Sequence, residues 1–166
     1  LHFLSMGLIT LKPNQCKRLA QLSKCDLVTQ LVVEFPSLQG QVGAEYARAS
    51  KEDDVICRAL GDHYLPYGPA SPLPQTEAGY FLSLADRFDT VIVLMRYGIK
   101  PTGSQDPLGL RRAVNGIFRL LDAQQIVCDY HKIIDYCYKI LGKKVTHKAA
   151  VVSFLDGAAK KVLNPN

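Results

Sequence analysis

Asp86 and Asp89 stand three residues apart in a stretch with helical spacing, so both carboxylates project from one side of the helix. Phe88 and Ile92 flank them and place Asp89 near an apolar stripe. Paired acids at such a border can hold a divalent metal or move protons. An isolated pair of this kind more often caps a loop or pairs with arginines, here Arg111 or Arg112. Cys25 and Asp26 form a second doublet, sixty positions before Asp86. One thiolate and two carboxylates offer a metal a mixture of soft and hard donors. His63, in Asp62-His63-Tyr64-Leu65-Pro66, falls at a helix end before a proline loop, where an imidazole bonds terminal carbonyls. His2, His131 and His147 have no ligand-like spacing. The chain carries no phosphate-binding glycine loop, GxSxG elbow or HExxH pair, so no intact catalytic site and no complete metal site are expected.

The charge is uneven. Net charge is +5, yet residues 1–90 sum to −2 and residues 91–166 to +7. The basic half includes Arg96, Lys100, Arg111, Arg112, Lys139 and Lys160. Such asymmetry suits a polyanionic partner, although solvated helix faces look the same. The five cysteines are irregularly spaced with no CxxC, which favours reduced, mostly buried thiols over a disulfide frame or a zinc site. No apolar run approaches the roughly 20 residues that span a bilayer. The apolar start, Leu1 to Thr10, lacks the basic lead and cleavage site of a signal peptide, and its abruptness suits a segment cut from a longer chain.

Helices must position these groups. After Pro13, which suits a first helical turn, Leu19, Leu22, Leu27, Leu31 and Val32 recur at helical spacing up to Pro36, placing Cys25-Asp26 on one long helix. A short helix fits Leu38 to Ala47, with Gly40 and Gly43 allowing a bend or close packing. Glu52, Asp53 and Asp54 open a third that runs to about Tyr64. Four prolines between Pro66 and Pro74 make a loop. Thr76 then caps a helix whose stripe is Ala78, Phe81, Leu82, Ala85, Phe88, Ile92 and Met95, ending near Gly98. The turn-rich Lys100 to Pro107 leads to a helix from Leu108 to about Leu121, followed by Ile126–Leu141 and His147–Leu163. No strand alternation is long enough to defend, and the fold class is all-α.

Several strings carry a family resemblance. Ser23-Lys24-Cys25-Asp26-Leu27-Val28-Thr29 is followed by Val33-Glu34-Phe35-Pro36-Ser37-Leu38-Gln39-Gly40, then by Leu84-Ala85-Asp86-Arg87-Phe88-Asp89-Thr90. Next come Gly98-Ile99-Lys100-Pro101-Thr102-Gly103-Ser104-Gln105-Asp106-Pro107 and Leu110-Arg111-Arg112-Ala113. In order and spacing these resemble the β subunit of bacterial-type glycyl-tRNA synthetase, over roughly residues 17 to 125. That subunit is several times longer, so the chain reads as an excised piece. The resemblance implies an HD-domain-like helical bundle over residues 1–125 and a helical extension over 126–166 that leads toward the next domain.

In HD phosphohydrolases a histidine, a His-Asp doublet and a distant helical aspartate bind a metal. Here Cys25 replaces the doublet's histidine, so Cys25, Asp26 and Asp86 are expected to mark a degenerate, non-catalytic site. The resemblance implies no cofactor in this chain. ATP and magnesium belong to the α portion, which activates glycine, and the β portion supplies tRNA binding. Implied partners are tRNA(Gly) at its acceptor arm, the α subunit or an α-like half, and other β-subunit domains, with no membrane. The implied location is the bacterial cytoplasm, or an organelle for a plastid-type enzyme. Arg111 and Arg112 are the foremost tRNA-facing candidates, with Lys100 and Arg96 next, and Thr102-Gly103-Ser104 could offer backbone amides to phosphate. Two rival readings remain: a residual metal-dependent phosphohydrolase, and a structural spacer between synthetase domains.

Overall fold

The computed structural model describes residues 10–99, 106, 108–126, 129–142 and 147–163, with side chains as far as residue 160. All regular structure among them is helical. The α-helices are α1 (Pro13–Leu22), α2 (Gln30–Glu34), α3 (Gln41–Ala49), α4 (Asp54–Asp62), α5 (Glu77–Arg96), α6 (Leu110–Ala123), α7 (Tyr130–Leu141) and α8 (Lys148–Leu163). Two 3-10 turns, Cys25–Val28 and Pro36–Leu38, join the early elements. The all-α expectation holds. No helix among the described residues is long and apolar enough to cross a membrane. The chain forms two compact units, Leu1–Ser83 and Leu84–Asn166, and the boundary falls within α5.

In the first unit, Leu19, Ile56, Cys57, Ala59, Leu60 and Ala78 make one buried cluster. Asp53 starts α4 by accepting the Val55 amide at 3.1 Å, the N-cap role that short acidic side chains perform. Thr76 does the same for α5 through the Gly79 amide at 3.0 Å. Asp62, at the last residue of α4, adds a second tie by accepting the amides of Gln75 at 2.7 Å and Thr76 at 3.2 Å. His63 bonds Leu60 O through Nδ1 at 2.9 Å and is 1% exposed, the carbonyl-capping role its position implied.

The predicted long helix to Pro36 is broken. The chain leaves the helix after Leu22, takes a 3-10 turn and restarts at Gln30. Thr29 drives the restart, because its hydroxyl accepts the Val32 amide and donates to Asp26 O at 2.7 Å. Leu19 and Val32 are buried as expected, whereas Leu27 and Leu31 are exposed. Cys25 and Asp26 therefore sit on a tight turn. The next helix starts at Gln41 instead of Leu38, since Gly40 takes a φ of +81° that L side chains rarely adopt. On α5, Ala78, Phe81, Phe88, Ile92 and Met95 are buried, but Ala85 is exposed and Ser83 and Arg87 are buried in addition.

In the second unit, Phe88 and Ile92 of α5, Ile117, Phe118 and Leu120 of α6, Ile134 of α7 and Leu155 of α8 are fully buried. Each such side chain contributes about 1.5–3 kcal/mol of transfer free energy. Phe118 meets Tyr130 edge-on, with ring centroids 5.6 Å apart. Helices α7 and α8 are also tied by polar bonds. The Tyr130 hydroxyl donates to Asp156 at 2.7 Å, His131 Nε2 lies 3.0 Å from the same oxygen, and Lys148 pairs with Asp135 at 2.6 Å. Burial and the Asp156 carboxylate push the Tyr130 hydroxyl pKa up to about 12.

Candidate functional site

In the first unit the Asp26 side chain is buried, and both of its oxygens are engaged. Oδ2 accepts the Gly40 amide at 2.6 Å and Oδ1 accepts the Tyr64 hydroxyl at 3.0 Å. Gly43 makes room for it, since a Cβ there would lie 3.3 Å from Asp26 Cβ. Cys25 is exposed, and its thiol donates to Gln21 O at 3.4 Å. Cys25 and Asp26 line a cavity of about 200 Å³ together with Arg18, Gly43, Tyr46 and Glu52. Arg18 and Glu52 form an ion pair within that lining. Asp86, which the resemblance grouped with Cys25 and Asp26, is half-buried on α5 in the second unit. Among the described residues no three His, Cys, Asp or Glu side chains are grouped to hold a metal. Asp26 in this arrangement is a clasp between two loops.

In the second unit Arg96, Arg111 and Arg112 lie at helix ends. Asp106 stands ahead of α6 and accepts the amides of Arg111 at 3.2 Å and Arg112 at 3.1 Å. Burial alone would raise its pKa, but these amides and the Arg112 side chain outweigh it and hold the carboxyl below its ordinary value. Gly109 turns the chain into the helix with a φ of +71°. The Arg112 guanidinium bonds Asp106 O at 3.2 Å and lies 3.5 Å from its carboxylate, while two-thirds of the side chain stays exposed. The expected alternative partners, Asp86 and Asp89, are therefore not the ones Arg112 uses; Asp106 is closer in sequence and already fixed at the helix start. Arg111 is half-buried and makes no ion pair among the described residues.

Arg96 ends α5 and lies over the Tyr97 ring, 5.7 Å from its centroid. Lys100 and Thr102-Gly103-Ser104, both proposed from the sequence, fall outside the described residues. Sequence reasoning missed two residues. Asp106 gave only the weak signal of an acid within a turn, and Tyr97 none beyond being an aromatic beside an arginine.

Comparison with known proteins identifies the chain's relatives. A family model described as glycyl-tRNA synthetase beta subunit matches residues 2–166. The glycine–tRNA ligase beta subunit of Trichodesmium erythraeum is 44% identical over 119 residues, covering 72% of this chain and 17% of the relative. That of Buchnera aphidicola is 43% identical over 139 residues, or 83% of this chain and 20% of the relative. The Clostridioides difficile subunit is 44% identical over 132 residues, with 80% and 19% covered. The chain thus spans about a fifth of the length of the curated relatives it matches. With a family model over nearly its whole length, and relatives that agree, this chain belongs to the glycyl-tRNA synthetase beta subunit family.

Proposed function

We propose that this chain is a tRNA-contacting, non-catalytic part of a glycine–tRNA ligase, with an HD-like fold and Arg111 and Arg112 at the RNA contact. One observation carries the reading. The start of α6 presents two adjacent arginines on a backbone fixed by Asp106, in the half of the chain that holds +7 of formal charge. Guanidinium groups set on a rigid helix start meet phosphate oxygens without a large ordering cost. Arg112 shares its charge with Asp106, so Arg111 is the stronger electrostatic contact. Arg96 and Lys100 extend the same basic region along the chain. ATP-dependent glycine activation then falls to the α portion, in a cytoplasmic or organellar enzyme, and the contact serves the acceptor arm. The absence of catalysis in this chain is supported by Asp26, whose two oxygens already hold protein donors.

The test is tRNA binding by the complete enzyme across a range of salt concentrations. Arg111→Ala and Arg112→Ala should each weaken binding and reduce the slope of log K against log salt by about one. Unchanged affinity and slope in the double variant would sink the contact and leave the structural-spacer reading.

A further inference from the structure

The C-terminal end of α5 holds an aromatic side chain that nothing above uses. Tyr97 is 72% exposed, against 51% for Tyr46 and 52% for Tyr67. Its backbone is nevertheless fixed. The helix ends in a glycine turn, with Gly98 at φ +77°, the Gly98 amide on Met95 O at 2.9 Å, and the Ile99 amide returning to Leu94 O at 3.2 Å. The ring carries the Arg96 guanidinium over one face, within cation–π range. Beside this turn lies His147, with its Nε2 4.0 Å from where a Gly98 Cβ would be. His147 has a left-handed φ of +75°, uncommon for a residue with a side chain, and it too is exposed. An exposed tyrosine with an arginine over its ring thus stands at a turn that a histidine adjoins, in the basic half of the chain.

Tyrosine buried by its own fold gives up ring area to a core, and Tyr97 does not. A planar cation on one face leaves the other for a second planar group. Nucleobases are such groups, and an unpaired base brings a phosphate suited to the neighbouring arginine and histidine. Paired bases inside a duplex have no free face to offer. We infer that Tyr97 is a stacking platform for one unpaired nucleotide of the bound RNA, with Arg96 completing the stack and His147 beside it as a hydrogen-bonding group. This rests on the RNA-contacting reading above and adds to it the single-stranded character of the nucleotide recognised here.

The experiment compares two RNA hairpins of the same stem, one blunt and one with a short single-stranded 3′ overhang containing 2-aminopurine, each titrated against the complete enzyme. The wild type should prefer the overhang and quench the 2-aminopurine fluorescence. Tyr97→Leu should lose the quenching and about tenfold in affinity for the overhang hairpin, while leaving the blunt one unchanged. Tyr97→Phe should restore both to within about twofold of wild type. Thermal midpoints should be unchanged in both variants, as the ring is exposed. If Tyr97→Leu keeps the quenching and the overhang preference, the platform is overturned, although Arg111→Ala with Arg112→Ala still weakens both hairpins. If that double variant binds both hairpins like the wild type, the contact surface fails and the platform fails with it.

Discussion

The Asp26 carboxylate accepts the Tyr64 hydroxyl at 3.0 Å, joining the turn after α1 to the end of α4. The sequence resemblance set this carboxylate among the positions of a degenerate metal site, and here it works as a structural acceptor. The Gly40 amide on its other oxygen completes the role.

It follows that Asp26→Asn destabilises the protein, because the amide nitrogen turns a donor toward one of two donors. The expected cost is about 1–3 kcal/mol, the penalty for a buried polar group left without its partner. Thermal melts with and without EDTA check both halves of the claim. The variant should melt lower, and the chelator should not move the wild-type midpoint. A chelator-sensitive wild type would return Asp26 to metal binding.

Asp106 makes stability depend on pH. Its folded pKa is depressed, so its contribution is complete above the unfolded value of about 4 and is lost as pH falls through the folded value. Asp106→Asn should therefore cost about 0.3–1 kcal/mol at pH 7, the scale of a carboxylate's charge near a helix N-terminus. Wild type and variant should converge near pH 2. Urea unfolding at both pH values measures this, and a gap that persists at low pH would place the stabilisation in shape and not in charge.

Two glycines within helices should respond to alanine in opposite directions. A Cβ at Gly79 would overlap the Asp62 carboxylate that caps α5, so Gly79→Ala must displace that cap. A Cβ at Gly157, on the exposed side of α8, meets nothing within 4 Å. Gly157→Ala should thus stabilise by about 0.5–1 kcal/mol through helix propensity. Gly79→Ala should destabilise by about 1–3 kcal/mol as two backbone amides lose their acceptor. Calorimetric midpoints decide it, and equal shifts of the same sign would refute the steric account.

Periodicity and capping made α4, α5 and α8 legible in the sequence. Thr76 stands where a cap was expected and Asp53 where an acidic helix start was, and the stripe from Phe81 to Met95 is buried except at part-buried Leu82 and exposed Ala85. The break after Leu22 was not legible. Leu27 and Leu31 keep helical spacing, but the local bonds of Thr29 and the reach of Asp26 to Gly40, fourteen residues on, outweigh that pattern. Asp106 was not among the partners weighed for Arg112, for a related reason. Arginine can reach several acids, and only the backbone turn at Gly109 brings Asp106 back over the start of α6. The helix end near Gly98 was legible, but which side chains beside it stay in solvent depends on how other elements pack, so Tyr97 was not.

The bonds Tyr130–Asp156 and Asp135–Lys148 cross the α7–α8 hairpin at two heights. Each residue of a helix turns about 100° from the last, so the two points on α7 hold a fixed angle to one another. A single residue inserted between Tyr130 and Asp135 would rotate one point away and leave only one bond standing. The pair therefore acts as a vernier on chain length. It sets this stretch of α7 to the residue, and changes in length must be taken up elsewhere.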